Sequence, residues 1–252
     1  MKPVTPDGIT EAIGLFEHAL VLDPRSVDAQ SLLANMLIAR AIDVRALPPG
    51  TTDDPEIRRA EELAMRAVSA SPRSSVAHFA KAQVLRFQRR CEAAIPEYET
   101  VLALNRNSVG ALAFLSRCKT NLGQIDEAIP LVKQAIRLSP RDPGIANWYW
   151  RIGEAQLLES HIDEAIVWLE KARGANPSIR YVHGYLAAAY ALKGETERAA
   201  TELAEARRSA GGVVYSSIAR LKDKVPYEHP RIRAQFKSVV VAGWRKAGVP
   251  EE

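Results

Sequence analysis

An all-α protein of helix hairpins stacked in series is predicted by three features of this 252-residue chain. An alanine recurs at Ala12, Ala60, Ala94, Ala128, Ala165 and Ala199, and seven residues after each comes a second small slot (Ala19, Ala67, Val101, Ala135, Ala172, Ala206). The intervals between the first alanines are 48, 34, 34, 37 and 34 residues, and a period of this size marks a repeat architecture. Each segment closes on a residue that stops a helix, namely Pro24, Pro72, Pro140 and Pro177, with Arg106 and Gly211 in that slot of the other two. Composition agrees: 47% apolar but only 6% aromatic.

The elements follow in order. The first segment supplies one helix, over 7–22, with no residues left for a hairpin partner ahead of it. It reads as a half repeat (3–24), and the missing position favours a chain cut from a longer one. Five hairpins follow at about 27–71, 75–105, 109–139, 145–176 and 179–210. The 48-residue interval places a 14-residue insert at 43–56, where Pro48-Pro49-Gly50 break the helix and Asp54-Pro55 cap the next. This insert reads as a surface loop. Three extra residues near Arg141-Asp142-Pro143 explain the 37-residue interval. Pro96 and Pro130 fall at one register near the start of two second helices, where each removes one internal hydrogen bond. Gly123 and Gly194 mark turns between paired helices. After Gly211-Gly212 the cadence stops. A short helix is predicted over 213–224, a turn between Pro226 and Pro230, and a longer helix over 231–247. That last helix puts Ile232, Phe236, Val240 and Trp244 on one stripe, with Arg233, Lys237 and Arg245 elsewhere. The division is therefore an array over 1–211 and two capping helices over 212–252. A solenoid needs such a cap to cover its last apolar face.

Charge and cysteine content narrow the function classes. Residues 212–252 hold eight basic and four acidic residues, which accounts for the whole net charge of +4. The body over 1–211 is neutral, so no nucleic-acid partner is expected. Cys91 and Cys118 lie outside any C-x-x-C pattern, which fits neither a disulfide scaffold nor a zinc ribbon but does fit a reducing cytoplasmic setting. No apolar run approaches the ~18 residues of a membrane span. No phosphate-binding glycine loop, nucleophile elbow or H-E-x-x-H helix occurs, so neither an enzyme nor a metal or cofactor site is expected. His78 and His183 share a packing register, and no carboxylate pairs with them in sequence. Asp126-Glu127 and Asp163-Glu164 open second helices, where carboxylates favour the helix dipole.

The 34-residue pattern resembles the tetratricopeptide repeat, whose motif runs W-x2-L-G-x2-Y, then A-x3-F, then P. One stretch matches at Leu115, Gly123, Ala128, Ala135 and Pro140. The next matches at Tyr149, Ile152-Gly153, Ala165, Leu169, Ala172 and Pro177, and a third at Leu186-Ala187, Tyr190, Gly194, Ala199 and Leu203. The repeat around Ala94 departs, with Lys81-Ala82 and Arg106 in motif positions, and the one around Ala60 has small residues in its large slots. The resemblance implies a right-handed α-solenoid that acts as a protein–protein interaction scaffold. Its partner, a protein or peptide segment, would lie in a concave groove lined by the first helix of each repeat. That register brings Asn35, Phe79, Gln83, Arg86, Arg117, Asn121, Asn147, Trp150, Arg151, Glu154 and Tyr181 to or near the groove. The competing reading is that some of them cover the core or contact the C-terminal helices. The Lys and Asn clamp with which some family members hold a peptide carboxylate is not reproduced, because Ser31, Asn35, Phe79, Ala80 and Gln83 occupy its slots. The ending HPRIRAQFKSVVVAGWRKAGVPEE resembles the ends of bacterial regulators that carry a class III nucleotide cyclase or a winged-helix domain. This implies an alternative function as the regulatory or oligomerisation region of such a signalling protein, and homo-oligomerisation stays open.

Overall fold

The computed structural model describes residues 5–208, 212–222, 227 and 229–252, and among them the chain is all-α without strands. Helices α1 (Pro6–Leu22), α2 (Val27–Asp43), α3 (Pro55–Ala70), α4 (Ser75–Phe87), α5 (Cys91–Leu104) and α6 (Val109–Asn121) are followed by α7 (Ile125–Leu138), α8 (Ile145–Leu158), α9 (Ile162–Ala175), α10 (Arg180–Lys193) and α11 (Thr196–Arg208). The chain divides into two compact units, residues 1–119 and 120–252, with the division near the end of α6.

Local chemistry sets the helix ends. Thr5 Oγ1 accepts from the Gly8 N–H at 3.1 Å, and Ser26 and Ser74 cap α2 and α4 in the same way. Asp54 caps α3 by accepting from the N–H groups of Glu56 and Ile57, with Pro55 at the first helical position. Four helices stop on the residue before a proline (Asp23, Ser71, Ser139, Asn176), because the proline ring disfavours helical backbone there. α5 and α7 run through Pro96 and Pro130.

In the first unit α1 packs on α2, α2 on α3, and α4 on α3 and α5. The core runs through Ile9, Ile13, Leu33, Leu37, Ile57, Ala60, Val84 and Phe87. The insert is not loose. Arg45 forks onto Asp54, Arg40 forks onto Glu56, and the Gly50 N–H donates to the Phe87 carbonyl at 2.7 Å. In the second unit α8 packs on α7 and α9, and α10 on α9 and α11. The alanine slots do the work their size suggests. Ala60, Ala94, Ala128, Ala165 and Ala199 are buried, as are Ala67, Ala135, Ala172 and Ala206, and helices approach there without voids. Only Ala12 and Ala19, on α1, stay half-buried. At Gly153 a side chain would meet Leu169 at 2.6 Å, so α8 and α9 lie closer than any larger residue allows.

The hairpin turns share one conformation. Arg89, Gly123, Ser160 and Gly194 sit at matching positions, all with positive φ (60°, 83°, 64° and 90°). The sequence marks only the two glycines. The other two turns impose left-handed backbone on residues with a Cβ.

The C-terminal segment is a 3-10 turn (Gly212–Ser216), a short α12 (Ile218–Lys222) and a helical run: α13 (Pro230–Gln235), a π-helical stretch (Phe236–Val241) and α14 (Ala242–Lys246). The single helix expected over 213–224 is thus broken at Ser217, and its last two residues, like Gly211, Pro226 and Glu228, lie outside the described residues. Ile232, Phe236, Val240 and Trp244 are buried, while Arg233, Lys237 and Arg245 are exposed. α14 lies on α10, where Gly243 brings the backbones together: a side chain there would meet the Ala188 carbonyl at 2.7 Å. No helix among the described residues is long and apolar enough to cross a membrane.

Candidate functional site

The predicted groove residues fall in two sets, one in each unit. In the first unit the first helices are α2, α4 and α6, and between them opens a cavity of about 330 Å³. Leu32 and Asn35 of α2 form one wall, Val76 and Phe79 of α4 the floor, and Asn105, Ser108 and Gly110 the far edge. Phe79 is half-buried and holds its place by ring contacts with Tyr98 at 6.0 Å and Phe114 at 6.1 Å. A side chain at Gly110 would meet the edge of the Phe79 ring at 3.2 Å. The Asn35 Oδ1 is buried and has no hydrogen-bond partner among the described residues. A buried amide oxygen left unpaired costs on the order of 1–3 kcal/mol.

Behind Phe79 the other predicted residues serve the wall. Gln83 Oε1 accepts from Arg86 Nε at 2.9 Å and from Tyr98 Oη at 2.8 Å. Arg86 lies over the Phe114 ring at 4.6 Å. Burial pushes the Tyr98 hydroxyl well above the usual tyrosine range, so it stays a proton donor. Gln83 and Arg86 are therefore half-buried supports, and Arg117 is half-buried as well. Cys91 and Cys118 are fully buried, and their mutual hydrogen bond together with burial pushes the Cys118 thiol up, away from thiolate chemistry.

The second unit treats its residues differently. Trp150 of α8 stands 4.5 Å from the Tyr181 ring and 5.7 Å from that of Tyr185. Asn147 accepts from the Tyr181 hydroxyl, and Arg151 lies 5.8 Å over Trp150. These four are half-buried. Glu154, one turn further, is only 1% exposed. It accepts hydrogen bonds from Tyr185 Oη at 3.1 Å and from Tyr227 Oη of the C-terminal segment. Asn121 is buried too, and its carbonyl accepts from the His229 N–H at 3.3 Å. The same segment places Trp244 Nε1 on the Gly184 carbonyl at 2.8 Å, and Arg231 and Gln235 against Glu159. Glu154 and Asn121 are thus covered by the chain's own tail. Their helical register is groove-like, but the residues that cover them lie roughly 70 to 110 positions on, where helical periodicity carries no information.

One pairing escaped the sequence. His78 places Nδ1 on Glu97 at 2.5 Å and Nε2 on the Pro72 carbonyl at 3.0 Å. His183 repeats it with Glu202 at 2.6 Å and Pro177 at 2.7 Å. Lys81 also binds Glu97, and Arg173 binds Glu202. Both rings bridge a carboxylate and a backbone carbonyl in the same way. The signal was present in the spacing: Pro, His and Glu recur with separations of 6 and 19 residues in both copies. The imidazoles tie helices together. Among the described residues no cluster of His, Cys, Asp and Glu could hold a metal.

Comparison with known proteins bears on the fold. Two family models, both described as tetratricopeptide repeat, match residues 88–148 and 120–178. Search of the curated proteins gives no match. Among solved structures, YrrB, "a TPR protein with an unusual peptide-binding site", is 18% identical with a TM-score of 0.55, over 76% of this chain and 90% of its own. PilF of Pseudomonas aeruginosa is 16% identical with a TM-score of 0.59, over 84% and 97%. The human IFIT1 dimer with PPP-AAAA is 18% identical with a TM-score of 0.62, over 96% of this chain and 53% of its own. These matches support the repeat resemblance and lend no support to a cyclase or winged-helix association. Residues 88–178 match tetratricopeptide-repeat models, and the helix-hairpin fold in which they stand is similar to that of YrrB and PilF.

Proposed function

We propose that this protein is a non-catalytic scaffold that binds an extended peptide segment of a partner protein in the cavity between α2, α4 and α6. The observation that carries the reading is the pairing of Phe79 with the buried, unpartnered Asn35 Oδ1 at that cavity. With the Asn35 amide turned toward the cavity, a peptide N–H would satisfy its oxygen, and an apolar side chain would lie on the ring. Half-buried aromatics flanked by polar groups are where binding energy concentrates. Arg86 and Arg117 back this site. Asn147, Trp150, Arg151 and Tyr181 form a second, smaller contact surface in the other unit, from which Glu154 and Asn121 are withdrawn by burial. Residues 1–211 carry the array in this reading, and 212–252 cap it. The neutral balance of 1–211 favours a peptide over a phosphate-bearing ligand such as the PPP-AAAA in the IFIT1 structure. YrrB, with its peptide-binding site, is a precedent for such a role on a similar fold.

A peptide-display selection on the whole chain tests this. Peptides enriched on the native protein should lose about tenfold in affinity on Asn35→Ala/Phe79→Ala, a loss of about 1.4 kcal/mol, with helicity by circular dichroism unchanged. Peptides that bind the double variant equally well would move the site away from this cavity.

A further inference from the structure

Trp168 on α9 is half-buried and lies 5.9 Å from the ring of Tyr149. Two ammonium groups converge on it: Lys171 Nζ stands 4.3 Å from the ring centroid and Lys133 Nζ, from α7, 6.0 Å. Both lysines are exposed, and neither forms an ion pair among the described residues. Elsewhere in the unit several cations are matched by carboxylates: Arg173 binds Glu202 and Glu170, Arg198 binds Glu170 and Glu195, and Lys193 binds Asp163 and Glu195. Arg137, one turn beyond Lys133, is likewise exposed and outside any ion pair among the described residues, and Val167 beside Trp168 is 49% exposed. The ring holds the cations by its quadrupole, worth only about 0.5–1 kcal/mol at an exposed site, and does not neutralise them. Two like charges gathered at one half-exposed tryptophan leave a surface that an anion completes.

We propose that this face of α7 and α9 docks an acidic peptide segment of a partner protein, with carboxylates on Lys133 and Lys171 and an apolar side chain against Trp168 and Val167. A nucleic acid fits less well. The neutral body lacks the wide basic footprint that an extended polyphosphate needs. The surface is separate from the cavity of the first unit, so the two readings stand or fall independently.

Fluorescence anisotropy of fluorescein-labelled decaglutamate titrated with the whole protein tests it. Binding is expected at low salt and should weaken as ionic strength rises to about 0.15 M. Lys133→Glu/Lys171→Glu should lower the affinity by about tenfold or more. A charge-matched control in the tail, Lys237→Glu/Lys246→Glu, should change it by no more than about twofold. Circular dichroism melts verify that both double variants fold, and Lys133→Met/Lys171→Met, which keeps the apolar stems, should give an intermediate loss. Absence of binding, or equal losses in the two charge-reversed variants, would overturn the proposal. Tighter binding of labelled decauridylate through the same two lysines would also overturn it, in favour of a nucleic-acid surface.

Discussion

In the first unit the faces of α2 and α4 open on a cavity edged by Asn35 and Phe79, whereas in the second the faces of α8 and α10 are taken up by residues 227–249 of the same chain. The helices are of one kind in both, with the same buried alanines and the same left-handed turns. What differs is whether covalently attached chain is present to satisfy the face. Trp150, Tyr181 and Tyr185 resemble a hot spot in composition, yet Tyr185 is buried against Trp244, whose ring stands 6.0 Å from it. Groove-like composition is therefore a statement about capacity, and occupancy has to be read from three dimensions.

The largest test breaks the occupied side. Trp244→Ala removes a buried ring packed among Tyr185, Tyr215 and Phe236, and the donor to the Gly184 carbonyl. It should cost about 3–5 kcal/mol in a denaturant melt. Hydrogen exchange should loosen α10 and leave protection in α2–α4 near its native level; loosening of both alike would erase the contrast between the units. Tyr227→Phe is a finer cut that removes only the hydroxyl on buried Glu154. Loss of about 1–3 kcal/mol is expected, the range for a buried polar group that loses a hydrogen-bond partner, and no loss would mean that the remaining partners of Glu154, Tyr185 among them, satisfy it.

The histidine ties give a pH-dependent version of the comparison. Burial pushes Glu97 up, but hydrogen bonds from Lys81 and His78 outweigh it and hold its carboxyl below the usual range. A carboxyl lowered on folding stabilises above its ordinary pKa, and that contribution disappears as the pH falls through the folded value. Stability carried by Glu97 should therefore be whole near neutrality and lost below about pH 4. Glu97→Gln should destabilise by about 1 kcal/mol at neutral pH and flatten the acid limb of a melting-temperature titration. An acid limb identical to the native one would mean that Glu97 carries none of the pH dependence.

Much of the fold was legible because it is local. The alanines at the crossings of α3, α5, α7, α9 and α11 and the residues before Pro24, Pro72, Pro140 and Pro177 are fixed by steric rules that act within a few positions, and the structure buries the former and ends helices at the latter. The turns were half legible. Gly123 and Gly194 announce left-handed backbone, while Arg89 and Ser160 adopt it because the packing of their hairpins demands it, against their own preference. Ser160→Gly should therefore stabilise slightly, by roughly 0.5–1 kcal/mol, measured as a shift in denaturant midpoint; destabilisation would mean that the serine side chain has a role of its own. The candidate site was legible as a list of outward positions on first helices. Which of them meet solvent was not, because Glu154 and Asn121 are covered by Tyr227 and His229 from far along the chain.

That distance has a further consequence, for the order in which the protein is made. Most contacts in a hairpin solenoid join near neighbours in sequence and can form as each repeat leaves the ribosome. The tail contacts span 60 residues for Trp244 and Gly184, 73 for Tyr227 and Glu154, and 76 for Gln235 and Glu159. During synthesis the apolar face of α10 and the carboxylate of α8 must wait until these late residues emerge. In that interval α8 and α10 present the same kind of surface that α2 and α4 keep in the finished molecule, and a nascent chain stalled there would offer chaperones a second, temporary groove.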